Sequence, residues 1–451
     1  MYERPLILRH AGTVLAGQLA TMAFGITDTI VAGRHGGASL AALSVASAIF
    51  ISVSVGLMGV LQALLPVWAE ERGAQRPERI GALFRQALYL CALVSGVGAL
   101  VLWFPGPLLS AADIPPALHG TVMAYLQVLG VAIPLSLGFR LFGTLNQAIG
   151  HPQAVTRIQL LGLALKVPLS SWLTFGGAWV PELGAVGCAW ATLLVNAAML
   201  AAGLWLMRTQ DIYRPLRLWE RMEAPNPTLL LQFAKLGLPA GLTILVEVTS
   251  FTMMALLIAR QGVVAAGAHQ IAANLAAVLY MVPLSLSIAT SARVSFWRGA
   301  GDEARAREVA WMGFRAVGAM ALALAALLFI ARTPLAQLYS SQAEVATLAA
   351  GLLAWVAAYH AVDGLQCFSL FILRCYRVTV APLVVYGVML WGVGLLGGYL
   401  LSYQGLGPWP AMTHPATFWI ASAGALAVTT LVFVAMVVRK LRSPHTPATT
   451  P

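Results

Sequence analysis

The sequence predicts an all-α polytopic membrane protein, with twelve transmembrane helices in two parallel-repeat lobes of six. Three observations predict it. Of the 451 residues, 59% are hydrophobic and only 10% are charged, with a mean hydropathy of +0.82, where a soluble domain carries about 25% charged residues. The apolar residues fall into twelve runs, each close to the ~20 residues a spanning helix needs. The segments between the runs alternate between rich and poor in lysine and arginine. So few charges cannot coat a soluble core of this size. The net charge of +11 would point to nucleic acid only if the basic residues clustered on one folded face; here they sit in short groups between apolar runs.

The first run, 8–33, is too long for a signal h-region and reads as a retained first span. Runs at 42–68, 86–104, 120–142, 157–176 and 184–207 follow. A charged stretch from 208 to 235 carries Pro215, Pro225 and Pro227. Beyond it lie 236–259, 268–291, 309–331, 345–373, 381–402 and 416–438. An even number of spans puts both termini on one side. That side holds 23 of the 27 basic residues, whereas the other keeps only Arg34, Arg260 and Arg332, and Lys166 falls inside a span. The bias places both termini in the cytoplasm. Cys91, Cys188, Cys367 and Cys375 lie in or beside apolar runs without metal-ligand spacing and read as packing residues.

The 208–235 stretch divides the spans six and six, so the expected domains are 1–220 and 221–451. The halves resemble each other. Gly33-Arg34-His35-Gly36 leads into Leu43-Ser44-Val45-Ala46, and 226 residues on, Ala259-Arg260-Gln261-Gly262 leads into His269-Gln270-Ile271-Ala272. Six spans per half make the repeats parallel. Two lobes with a cleft between them suit alternating access.

Three acids fall inside spans: Asp28, Glu247 and Asp363. Each costs about 2.5–3.5 kcal/mol in the bilayer even on a lenient scale, which points to use. Glu247 lies eleven residues beyond Leu236 and Asp363 eleven before Arg374. Both are then ~17 Å from the cytoplasmic face, on helices of opposite direction. Tyr359 is one turn from Asp363, and Thr243 and Ser250 flank Glu247. Such oxygens suit a hard cation such as sodium, with Glu247 and Asp363 as its ligands. A proton suits equally, because two desolvated carboxylates at one place cannot both stay ionised. The alternative is a hydrogen-bonded packing pair. Asp28 is six residues before Arg34, and Lys166 is its expected ion-pair partner in a first-lobe cavity. Depth counting puts Lys166 nearer the cytoplasm, which leaves a snorkelling lysine as the rival. His269 and His360 lie in spans without a nucleophile or metal triad beside them, so packing or cavity lining is expected and an enzyme is not. Trp172, Trp190 and Trp355 are placed to face a cavity and stack on aromatic cations, or to anchor at the interface.

Several segments together carry a family likeness. They are Asp28-Thr29-Ile30-Val31-Ala32-Gly33-Arg34-His35-Gly36, Gly184-Ala185-Val186-Gly187-Cys188-Ala189-Trp190, Gly237-Leu238-Pro239 with Glu247 and Phe251, Ala268-His269-Gln270-Ile271-Ala272-Ala273-Asn274, and Asp363-Gly364-Leu365-Gln366 with Arg374. On these the chain resembles the multidrug and toxic compound extrusion (MATE) transporters, in their bacterial NorM-like branch. The resemblance implies two lobes arranged as a V in the bacterial inner membrane, and a monomer that exports organic cations against an inward proton or sodium ion. It needs no resident cofactor and no nucleic acid. It carries the cation site onto Glu247, Asp363 and Tyr359, and a first-lobe polar cavity onto Asp28, Lys166 and Ser170. Gln270, Asn274, His269, Phe251 and Trp355 are the candidates for the substrate cleft. Relatives read Asn-x-Pro-Leu-Asn where this chain has Lys166-Val167-Pro168-Leu169-Ser170; the fixed charge is expected to silence that lobe as an ion site. Cys375 likewise stands where relatives have glycine. The alternative within the superfamily, a lipid-linked saccharide flippase, would need several arginines inside spans.

Overall fold

The computed structural model describes residues 3–106, 109, 115–177, 180–405, 407, 408 and 410–442. Among them, twelve helices are long and apolar enough to cross a membrane, and the chain is a multi-pass membrane protein. They are α1 (Glu3–His35), α2 (Gly37–Gly73), α3 (Pro77–Trp103), α4 (Pro116–Ala148), α5 (Pro152–Phe175), α6 (Ala185–Thr209), α7 (Pro227–Ala259), α8 (Val263–Gly299), α9 (Glu303–Tyr339), α10 (Ala343–Cys375), α11 (Val380–Gln404) and α12 (Ala416–Arg442). All but α5 and α6 overrun their apolar runs by several residues at one end or both. The extra turns are polar and capped. α9 starts behind Asp302, whose carboxylate accepts from the Arg305 backbone N–H at 2.9 Å. α3, α4, α5 and α7 start on proline, whose missing N–H costs nothing in a first turn. α11 is π-helical over Gly387–Leu396 and Leu400–Gln404.

The repeat read in the sequence recurs in the turns. Gly36 closes the α1–α2 turn at φ 156° and Gly262 the α7–α8 turn at φ 110°, 226 residues later. Gln75 (φ 57°) and Gly301 (φ 77°) stand at the same offset after α2 and α8. Around them the hydrogen bonds match. Gln75 N–H donates to the Arg72 carbonyl and Arg76 N–H to Glu71, as Gly301 N–H does to Arg298 and Asp302 N–H to Trp297. The packing matches as well. α4 is the central helix of the first half, against α2, α3 and α6, and α10 takes that place in the second, against α8, α9 and α12.

The chain packs into two compact units, one of Thr13–Gly241 and the other of Met1–Gly12 with Leu242–Pro451. Each is a continuous six-helix set except for one exchanged helix end. The start of α1 belongs to the second unit, where Glu3 accepts from Arg293 Nε and Nη2 at 2.8 and 2.6 Å and from Trp297 Nε1 at 3.1 Å. The start of α7 belongs to the first, where Gly237 and Gly241 lie against α2 so closely that a Cβ would sit 2.8 Å from the Val60 carbonyl oxygen or 2.5 Å from that of Gly56.

The proline-bearing connection between α6 and α7 is fastened to α3. It opens with a 3-10 turn, Asp211–Leu216. Arg85, buried on α3, donates through Nε to Glu223 Oε2 at 2.9 Å, through Nη2 to Glu223 Oε1 and through Nη1 to the Arg217 carbonyl. Gln86 donates to the Ala224 carbonyl and accepts from the Asn226 N–H, at 3.0 and 2.9 Å. The Arg85 guanidinium holds the Glu223 carboxyl below its ordinary range.

Candidate functional site

The first-lobe polar cavity is built by α1, α5 and α6. Lys166 is 0% exposed. Its Nζ lies 2.8 Å from Asp28 Oδ1 and donates to the Cys188 carbonyl at 3.0 Å and to Thr192 Oγ1 at 2.6 Å. Three oxygens thus satisfy the three ammonium protons. Ser170, one turn on, donates to the same Asp28 oxygen at 2.9 Å. The expected pair therefore forms. Counted from the true outer ends, Asp28 is seven residues before His35 and Lys166 nine before Phe175, ~10 and ~14 Å in; the shorter apolar runs had hidden this near-equality. The Cys188 carbonyl and Thr192 were not singled out in sequence, because a backbone acceptor and a lone threonine carry no pattern of their own.

The second-lobe cluster lies in the unit that holds Leu242–Pro451. Asp363, on α10, is 3% exposed, and its Oδ1 has no hydrogen-bond partner among the described residues. It interacts electrostatically with Glu247, on α7, which is partly buried. The two acids are thus brought to one place. Three tyrosines interact with both: Tyr280 on α8, Tyr359 on α10 and Tyr386 on α11. The Cys367 thiol, one turn after Asp363, lies 3.5 Å from the Tyr280 hydroxyl and donates to it. Tyr386 adjoins the π-helical stretch of α11, the kind of irregularity that often marks functional places. Thr243 and Ser250 are both buried.

Beside the acids stands an aromatic group centred on Trp419 of α12. Its ring is edge-on to Tyr359 at 5.9 Å and to Phe251 at 6.1 Å, with His269 tilted against it at 5.8 Å. Phe251 and Tyr359 are edge-on to each other at 5.8 Å. Of the cleft candidates, Phe251 and His269 pack inward here. Gln270, Asn274 and Trp355 are exposed, and Gln270 Nε2 donates to Asn274 Oδ1 at 3.3 Å. Trp172 and Trp190 are exposed as well. Trp419 escaped the sequence reading because an indole in the last span has no neighbour in sequence to signal its role.

Two arginines counted with the loops lie in helices. Arg140 is on α4 and half-buried. Arg374 is in the last turn of α10 and only 2% exposed. Hydropathy ends a span at the first charge, but these helices continue into protein-lined surroundings.

A family model described as MatE matches residues 14–172 and 239–400. The two stretches begin 225 residues apart, close to the repeat offset. A protein of Aromatoleum aromaticum named "Probable multidrug resistance protein NorM" is 35% identical over 427 residues, 95% of this chain and 92% of that protein. One of the same name from Chromobacterium violaceum is 33% identical over 432 residues, with the same two shares. The crystal structure of the eukaryotic MATE transporter AtDTX14 shares the fold, with a TM-score of 0.84 at 19% identity over 98% of each chain.

Proposed function

The chain belongs to the MatE family of transporters, which are not enzymes, and from that premise we propose that it exports organic cations and drugs across the bacterial inner membrane in exchange for an inward proton or sodium ion. The observation that carries the proposal is the pairing of Glu247 and Asp363. Two acids from different helices share one place lined by tyrosines, and one of them keeps a buried, unpartnered carboxylate oxygen. A negative pair held out of water has to be visited by positive charge. An organic cation and the coupling ion compete for it. The ion neutralises the acids from outside and releases the drug, and inward return reloads it. Coupling requires only that each ligand prefer one conformer. A sodium ion would be cargo, met by Glu247 and Asp363 with the Tyr359 hydroxyl in reach.

In this reading Asp28 binds no travelling ion, because the Lys166 ammonium already occupies its carboxylate. The protein works as a monomer with both termini in the cytoplasm, in keeping with the basic bias. The test is efflux of ethidium from proteoliposomes with the pH gradient and the sodium gradient imposed one at a time. One gradient is expected to drive accumulation against the dye's own gradient; no accumulation under either would overturn the proposal.

A further inference from the structure

Arg374 has no place in the exchange described so far, yet its guanidinium is buried in the same unit. Nε and Nη2 have no hydrogen-bond partner among the described residues. Nor is it spent on closing its helix. The α10 terminus is held by Arg298, whose Nη1 donates to the Cys375 carbonyl and whose guanidinium lies 4.4 Å over the Tyr376 ring. Phe371, one turn back, restrains Arg374 from below, with Cζ 4.7 Å from the ring centroid. Gln366 stands between Asp363 and Arg374 on α10, 1% exposed, with both amide atoms unpartnered. Side chains lean toward the N-terminus of their helix. α7 and α10 run in opposite directions, so Glu247 and Arg374 lean toward each other. The charged and titratable groups that face Arg374 are Glu247 on α7, Tyr280 on α8, Cys367 on its own helix and Tyr386 on α11. Of these only Glu247 can balance a guanidinium that never gives up its proton.

We propose that Arg374 is the resident counter-charge of Glu247 and sets the charge of the second-lobe site to −1. Two carboxylates and one guanidinium leave a single negative charge for visitors. One proton, one sodium ion or one monovalent organic cation completes the balance, and a dication overshoots it. Arg374 thereby selects monovalent substrates and limits the exchange to one charge per cycle. Gln366, with a free donor and a free acceptor, is placed to carry a water between the two ends of the cluster. This inference rests on the coupling role of Glu247 and Asp363.

The experiment compares binding of ethidium, a monocation, and methyl viologen, a dication, to the purified transporter by calorimetry. Arg374→Gln leaves the site at −2, and the affinity ratio of methyl viologen to ethidium is expected to rise about tenfold or more. Arg374→Lys keeps the charge and should keep the ratio. Arg374→Gln combined with Glu247→Gln returns the site to −1, and both the ratio and the thermal midpoint should move back toward wild type. An unchanged ratio in Arg374→Gln, or an equal change in Arg374→Lys, overturns the proposal. If Arg374→Gln does not fold, the paired variant decides: recovery of a folded protein supports the balance, and failure to recover refutes it. Loss of ethidium binding in Glu247→Gln and Asp363→Asn tests the underlying site separately. Were both variants to bind ethidium normally, the site itself would be misplaced, whatever Arg374 does.

Discussion

At the scale of single residues, buried charges are the costly features, and each has a partner that explains it. Lys166 is fully enclosed, with all three protons received by Asp28, Cys188 and Thr192. Removing one partner of such a pair strands the other, at a cost of about 3–5 kcal/mol, whereas removing both together is close to neutral. Lys166→Met and Asp28→Asn are each expected to lower the thermal midpoint markedly, and the double variant to regain most of the loss. Additive losses in that cycle would mean the ammonium and the carboxylate are not coupled. The pairing was legible in the sequence as a lysine and an aspartate in one lobe, but not its depth, which needs true helix ends. Arg374 was illegible for the opposite reason. It stands where hydropathy stops counting, and only three-dimensional burial separates it from a loop arginine.

At the scale of elements, the repeat is carried by turns and by the position of each central helix, not by chemistry. Gly262 adopts φ 110° with open space where a Cβ would go, so Gly262→Ala meets backbone strain alone, about 1–3 kcal/mol. A chemical denaturation midpoint unchanged by that substitution would remove the strain argument. At the repeat offset, Thr21 and Leu137 stand where the second half has Glu247 and Asp363, and Met254 where the first has Asp28. The two halves therefore share a scaffold and divide the work. The α6–α7 connection reads in sequence as a loose proline-bearing linker, yet Arg85, Gln86 and Tyr89 of α3 fasten it through Glu223, Ala224 and Asn226. No local pattern announces such contacts between distant segments. Glu223 ionises more readily here than when unfolded, because Arg85 donates to it. That anchoring is fully present at neutral pH and is lost as pH falls through the depressed value. Glu223→Ala should expose the segment 217–226 to trypsin at pH 7, cutting at Arg217 or Arg221, while the wild type resists. Equal cutting of both would show that the fastening contributes nothing.

At the scale of the whole molecule, the twelve spans and the six-and-six division were legible because apolar runs and basic loops obey the bilayer over long stretches. The carboxylate pair was legible for a related reason, since an acid in a span is rare enough to be counted. The aromatic group around Trp419 was not, because it is assembled from four helices and none of its members is unusual where it stands. The account as a whole depends on Glu247 and Asp363 exchanging one positive charge for another. Proteoliposomes loaded with ethidium and given an inward cation gradient test this most directly, with wild type, Glu247→Gln and Asp363→Asn at equal protein density. The account predicts gradient-driven efflux in the wild type and none above the passive leak in either variant. Efflux at the wild-type rate by both variants would contradict it.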